Sequence, residues 1–315
     1  MERAALDGHT VVARAVVLGA VPLGALEDAM AAGVVVADDT WVALESLATA
    51  ENAVADEVLG LAEEGRLAVV LGSVPADAEV YVVADAQRLD LEELAGRLQQ
   101  APEDARVVVA GDPDALPGAA PGAALRDLVA WGGVPVRDLR PDPADGPALA
   151  RLGAAVRRGE LLPPDPEDRS VVVTVCADDD EVVRRVSQLV ADSIPRVFGL
   201  QGADILVVTP LHGGAAGRAA LTGSLAASTA GTGVPGVEVV LTHDLAGRRA
   251  AAVVACFPGQ AAGVLTRALV YSSVICADQH LSVVTAAGDA LPGAVADGGL
   301  RERRTRLGAL LAAGA

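Results

Sequence analysis

The chain has 315 residues, enough for two or three compact domains. Hydrophobic residues make up 52% and aromatics 2%, so a globular core must be built from Ala, Val and Leu, which excludes a disordered chain. A net charge of −18 opposes binding to phosphate backbones unless arginines cluster locally, and no apolar run approaches the roughly 18 residues of a membrane helix.

Residues 9–43 read as helices followed by a small hairpin, a winged-helix-like unit. Leu23, Leu26 and Met30 share a helical face, Gly33 ends it, and VVV (34–36) and WVAL (41–44) flank the turn-like ADDT. Glu45 or Ser46 opens a long amphipathic helix ending near Gly65. From Leu67 short apolar runs suit a parallel sheet: LAVVL (67–71), VYVVA (80–84), RVVVA (106–110) and VPVRDL (134–139). A helix over 148–158 precedes LLPPDPED (161–168), a Pro-rich acidic linker and the expected boundary. The second set runs SVVVTV (170–175), a helix at 180–193, ILVVT (205–209), a helix at 217–227, VEVVLT (237–242), AAVVACF (251–257), a helix at 262–275 and LSVVTA (281–286). RERRTRLGALL closes the chain as an Arg-rich helix. The expected fold class is α/β with two lobes, each built on a largely parallel sheet. The segments are 1–65 (helical, winged-helix-like), 66–160 (first lobe) and 170–315 (second lobe).

The start, MERAALDGHT, has no basic region followed by an apolar core, so a cytoplasmic protein without a membrane partner is expected. Cys176, Cys256 and Cys276 are far apart and the four histidines do not cluster, so no metal site is expected. There is no lysine: all 24 basic residues are Arg. Chemistry that needs a lysine amine is therefore absent from this chain.

Two segments carry more. YVVADAQRLD (81–90) is a strand ending in an acid, the place where P-loop ATPases keep the magnesium-binding Walker B residue. AGDPDALPGAAPGAALRDL (110–128) is a strand followed by GD, LP, PG and L-x-D-L. It resembles motif III of the RecD/TraA-type superfamily-1 DNA helicases, G-D-x-x-Q-L-P-x-V-x-x-G-x-x-L-x-D-L. In the same register other segments resemble the family in its order. GHTVVARAVVLGAVPLGALEDAMAAGVVV and WVALESLATAENAVADEVLGL resemble the helices ahead of the motor, and LGAAVRRGELLP the A-x-x-I-x-x-G-x-x-P segment. ILVVTPLHGGAAGRAALTGSL resembles V-L-T-P-x-x-x-G-x-x-G-x-x-x-L-N-x-x-L. LTHDLAGRRAAAVV resembles T-x-H-K-S-Q-G-S-E-F, and LTRALVYSSVICADQHLSVV the closing L-x-R-x-L-x-Y-T-A-x-T-R-A. The resemblance implies two RecA-like lobes of the P-loop NTPase type, with ATP and Mg²⁺ as cofactors.

The departures fall on the chemistry. After LAVVLGS only VPADA precedes the next strand, with no Gly-x-x-x-x-Gly-Lys-Ser/Thr loop and no helix behind it. Ala84 stands where the resemblance puts the Walker B aspartate, Asp85 where it puts the catalytic glutamate, and Ala115 at the motif III glutamine. Asp142 and Pro143 lie near an expected Arg-Gln pair, with Arg140 close but out of register. Ala246 replaces a glutamine, Arg249 reverses a glutamate, and Cys276 takes the place of the arginine finger. The barrel that some members insert in the second lobe, which helps grip DNA, has no room after Leu225.

Asp85, Gly111, Asp112 and Cys276 are thus vestigial motif positions, and no cofactor is expected. Thr209, Arg218, Thr242 and His243 are candidate nucleic-acid contacts, and Arg218 with the Arg301–Arg306 stretch could touch phosphates. The plain structural readings stand beside these: a strand-end carboxylate for Asp85, turn capping for Asp112, a loop histidine for His243, a small buried residue on a helix for Cys276, and a solvated helix face for the arginines. The expectation is a non-catalytic helicase-like binding or scaffold protein of DNA metabolism, in repair or recombination. It would bind a protein partner, and single-stranded DNA weakly or not at all. The alternatives are an ATP-dependent helicase, or a subunit of a helicase/nuclease complex, whose ATP site is completed elsewhere, and a regulator that binds nucleotide without hydrolysis.

Overall fold

The computed structural model describes residues 1–141, 146–229, 236–245, 247–298 and 302–314. Asp142, Pro143 and Ala246, and Arg301 of the C-terminal run, lie outside them. The chain divides into two units: Met1–Pro113 with Pro117–Arg140 and Arg301–Ala315, and Asp114–Leu116 with Pro141–Leu300.

The first unit begins with α1 (Glu2–Leu6), β1 (Val11–Ala13), α2 (Arg14–Ala20), α3 (Leu23–Ala31), β2 (Val35–Ala37) and β3 (Trp41–Leu44). Strand β3 pairs antiparallel with both β2 and β1. The hairpin falls where expected because Asp38 Oδ1 accepts hydrogen bonds from Thr40 N, Thr40 Oγ1 and Trp41 N, fixing the ADDT turn. Strand β1 was not anticipated: its VVA sits in a stretch that reads as helix. Gly33, at φ +69°, ends α3 in a left-handed conformation that suits glycine.

Helix α4 (Glu45–Glu63) leads into four parallel strands, β4 (Leu67–Leu71), β5 (Tyr81–Val83), β6 (Val107–Gly111) and β7 (Val136–Asp138), in the order β5-β6-β4-β7. Alternation sends Leu67, Val69, Leu71, Val107 and Val109 to one face. There they pack with α4, α5 (Leu91–Gln99), α6 (Ala124–Trp131) and the C-terminal helix Leu307–Gly314. On the opposite face Val70, Val108 and Ala110 cluster with Val74 and Val80. Both valines come from the β4–β5 connection, which contains no helix.

The C-terminal segment corrects one expectation. Of the described arginines in the run, Arg303 and Arg306 do not form a solvated helix face, Arg304 is exposed, and the helix starts only at Leu307. Arg303 donates to the carbonyls of Gly118, Ala120 and Gly122 at 2.7–2.8 Å. Arg306 stacks over Trp41, 4.3 Å from the ring centre, and lies 3.7 Å from Glu51. Glu51 is wholly buried on α4, and its Oε1 accepts from Thr10 Oγ1 and Arg306 N, both at 2.7 Å. One buried carboxylate thereby ties together β1's approach, α4 and the end of the chain.

The second unit holds α7 (Ala148–Arg158), β8 (Val171–Val175), α8 (Asp179–Gln188), a π-turn at Leu189–Ser193, α9 (Ile194–Phe198), β9 (Ile205–Thr209), α10 (Arg218–Thr229), β10 (Glu238–Leu241), β11 (Ala250–Phe257), α11 (Arg267–Val274), β12 (Ala277–Thr285) and α12 (Ala290–Ala296). Its five strands are all parallel, in the order β10-β9-β11-β12-β8. Helices α7, α11 and α12 cover one face, and α8 and α10 the other. The fold is thus α/β, with two separate parallel sheets.

Helix α7 buries Leu152 and Val156 in the second unit's core, so the division falls after Arg140 and ahead of the Pro-rich linker. Helix α11 begins at Arg267, five residues later than expected, because the Thr266 side chain caps it by accepting from Leu269 N.

Asp127 on α6 makes a pH prediction. Burial, with the nearby Glu51 charge adding to it, pushes its pKa up to about 6, against the hydrogen bond it accepts from Thr305. Its folded pKa lies above the ordinary 3.8, so the stability from proton uptake is complete below about pH 3.8 and is lost as pH rises through about 6. Asp127→Asn should stabilise the chain by about 1–2 kcal/mol at pH 7.5 and flatten its pH dependence between about 4 and 6. Thermal unfolding across pH 4–8 checks this; equal slopes in parent and variant would contradict it.

Candidate functional site

In open parallel sheets, ligands bind outside the carboxyl ends of the strands where the strand order switches direction. In the first unit the switch falls between β4 and β6, since β5 lies beyond β6 and β7 on the far side of β4. The residues there are Gly72 after β4, Gly111 and Asp112 at the end of β6, and Asp138 and Arg140 at and after β7.

The geometry is closed. Arg140 donates from Nε and Nη2 to the two oxygens of Asp138, at 2.9 and 2.7 Å, and from Nη1 to Asp112 Oδ1 at 2.9 Å. The Arg140 and Asp112 side chains are only 11% and 12% exposed, so their contact is largely desolvated, while the bidentate partner Asp138 is 47% exposed. A Cβ on Gly72, at φ +106°, would lie 3.3 Å from Arg140 Cγ. The arginine side chain therefore occupies the space beside the strand end. Asp112 is correspondingly an ion-pair partner, and its own amide donates to Gln87 Oε1 at 3.1 Å.

Gln87 also explains Gly111. A side chain there would run into Gln87 Oε1 and approach Leu125 Cδ2 to 2.9 Å. Asp85 lies on the loop after β5 at φ +53°, a left-handed conformation that Asp tolerates better than most residues, and its carbonyl accepts from Arg88 N. Ala115 is buried in the second unit's core, where the neighbouring Leu116 N donates to Ser272 Oγ.

This edge does not fit a magnesium triphosphate. The β4–β5 connection offers no helix N-terminus and no amine, and the guanidinium nearest the strand ends is already bound to two carboxylates. Among the described residues no group of three His, Cys, Asp or Glu side chains is placed to hold a metal ion.

The second unit brings Thr209 and Thr242 close, because β9 and β10 are neighbours in register, with Leu241 opposite Thr209. Both threonines are buried and turned to the protein. Thr209 Oγ1 reaches the Ala216 carbonyl, and Thr242 Oγ1 lies 3.4 Å from Ser273 Oγ. Arg218 and His243 are exposed, with Arg218 3.7 Å from Asp244. The first amides of α10 are also engaged: Arg218 N donates to Leu211 O and Ala219 N to His212 O. Cys276 is buried beyond the end of α11, not on it as expected. Its thiol donates to Ser273 O, and burial pushes its pKa up to about 12.

Sequence reasoning missed the Arg140–Asp138–Asp112 cluster as a unit. The signal available was VRDLR (136–140): an acid and a base two residues apart at a strand end, close to a motif-bearing Asp112.

No family model matches the chain. Among solved structures it is similar to the arterivirus nonstructural protein 10 helicase, at 16% identity over 82% of this chain and 71% of that one, with a TM-score of 0.39. It is similar to the same arterivirus protein in complex with DNA at 14% identity, over 83% and 73% of the two chains, with a TM-score of 0.39.

Arg140→Ala should destabilise the chain by about 2–4 kcal/mol, because it strands Asp112 in a desolvated place. Adding Asp112→Ala should recover part of that loss, since the charge that Arg140 balanced disappears with it. Denaturant unfolding of the four species gives the coupling; strictly additive effects would contradict the pairing.

Proposed function

We propose that this chain is a non-catalytic, helicase-like protein that acts by binding rather than by ATP turnover, in the manner of a degenerate RecD/TraA-type relative serving DNA metabolism. The observation that carries the reading is the carboxyl edge of the first sheet. There the resemblance calls for a phosphate loop, and an Arg140 guanidinium clamped by Asp112 and Asp138 stands in its place. The loss of lysine and of the arginine finger at Cys276 supports it; the finger alone is worth roughly 10³–10⁵ in rate in related phosphoryl-transfer sites.

Weak DNA binding belongs to the same proposal. Thr209 and Thr242 face inward. Of the arginines in the second unit, Arg218 is beside Asp244, Arg248 is paired with Glu238, and Arg249 with Asp278. These three cations already have counter-charges, so little counterion release is left at them to drive association.

The purified chain should show no DNA-stimulated ATP hydrolysis and no strand separation. Turnover at about 1 s⁻¹ or faster, abolished by Asp85→Ala, would overturn the proposal. Titration with single-stranded DNA should give weak binding with a shallow salt slope; tight binding that collapses as salt rises would mean that a basic groove operates.

A further inference from the structure

The second unit's sheet ends at β8, with no strand beyond it among the described residues. Leu281 N donates to Ser170 O and Cys176 N to Thr285 O, so Ser170, Val172, Thr174 and Cys176 turn their backbone groups toward β12. Val171, Val173 and Val175 therefore point their N–H and C=O groups outward, and among the described residues nothing hydrogen-bonds to those groups. An unpaired strand edge is a template for another strand, and proteins blunt such edges with charge, short length or bulges. The other edges of the two parallel sheets are blunted. Strand β5 has three residues, β7 carries Arg137 and Asp138, and β10 carries Glu238 paired to Arg248. Strand β8 has five residues, all β-branched, inside an uncharged run from Ser170 to Ala177. Its Val175 is 74% exposed.

We propose that β8 is a two-fold interface at which a second copy of the chain adds its own β8, antiparallel, with Val173 on the axis. In that register Val171 faces Val175 of the second copy, and Val173 faces its own counterpart. The outward groups of each strand then meet the outward groups of the other, giving about six backbone hydrogen bonds. On the opposite face Val172 stands against Thr174 of the second copy. Every cross-strand pair is thus β-branched and none carries a charge. The strand is complementary to itself, as an isologous contact requires. Nucleic acid and lipid offer no ladder of amides and carbonyls to match it. Beyond the strand ends, Asp168 and Asp178 are turned to Ser170 N and Glu181 N of their own chain. The net charge of −18 pushes two copies apart at long range, but none of it lies on the paired run. Screening by salt should therefore tighten the contact. The inference goes beyond the loss of ATP chemistry and does not depend on it, since β8 belongs to neither the Arg140 cluster nor the motif positions.

The test follows the mass of the full chain in solution by light scattering as concentration and salt are varied. The parent should pass from monomer to dimer as concentration rises, and more readily at about 0.5 M salt than at about 0.05 M. Val175→Pro removes one outward amide and leaves the bonds to β12 in place. It should weaken the dimer at least about tenfold while melting at the parent's temperature. A cysteine pair reads the register without relying on that variant. Opposed residues of a hydrogen-bonded pair have Cα atoms about 5.5 Å apart, within disulfide reach, whereas diagonal neighbours at about 7–8 Å are beyond it. Val173→Cys should therefore form a disulfide-linked dimer in air, and Val172→Cys should not. If Val175→Pro lowers the melting temperature, the cysteine comparison decides. A parent that stays monomeric at every concentration and salt would overturn the proposal, leaving the edge to a foreign strand or to none. So would a dimer that salt dissociates, one that a normally melting Val175→Pro leaves unchanged, or a disulfide that forms equally through position 172.

Discussion

A guanidinium held between two carboxylates closes the carboxyl edge of the first sheet. Arg140 reaches Asp138 with two donors and Asp112 with a third. Those three residues come from the ends of two strands that flank β4. A binding edge of a parallel sheet normally keeps backbone amides and one unpaired charge available for a ligand. Here the charge is neutralised internally, and the space beside Gly72 is filled by the arginine stem. The interaction ties the strand ends to one another through side chains.

The same economy shows on the sheet's second face. A helix after β4 would cover Val70, Val108 and Ala110; instead Val74 and Val80 of the short connection do so. Two valines can shield three small residues, whereas a face of Leu or Phe would have required a helix. The low aromatic content, 2% of the chain, makes that thin covering possible. The second unit, with helices on both faces, keeps larger core residues such as Phe257 and Leu281.

Most of the strands were legible because parallel strands buried on both faces spell continuous apolar runs: LAVVL and ILVVT match β4 and β9 residue for residue. Helix α4 was legible from its period and from Gly65 beyond it. What stayed hidden depends on partners far along the chain. Arg303 is bonded to carbonyls more than 180 residues away, and nothing in RERRTR distinguishes such an arginine from a solvated one. Strand β1 is three residues long and exists because β3 pairs with it. Asp112 was singled out by motif but given a turn-capping alternative, because its partner follows a different strand.

Fold and reaction separate cleanly in such a design because they draw on different atoms. The stabilising surface is the inward set of Val and Leu on alternating strand positions, each side chain worth about 1.5–3 kcal/mol when fully buried. The positions that differ from the helicase pattern lie mostly at strand ends and loops: Ala84, Asp85, the segment after Gly72. Such sites contribute little to the core, so substitution there leaves the sheets intact. The exceptions are instructive. Ala115 and Cys276 are buried, and at each a small residue replaces a long polar one expected from the resemblance. A Gln or Arg at either place would need a buried hydrogen-bonding partner, and burial without one costs several kcal/mol. With small residues at those places, the packing around them favours keeping long polar groups out, and a Gln or Arg there would require the surrounding core to be rebuilt.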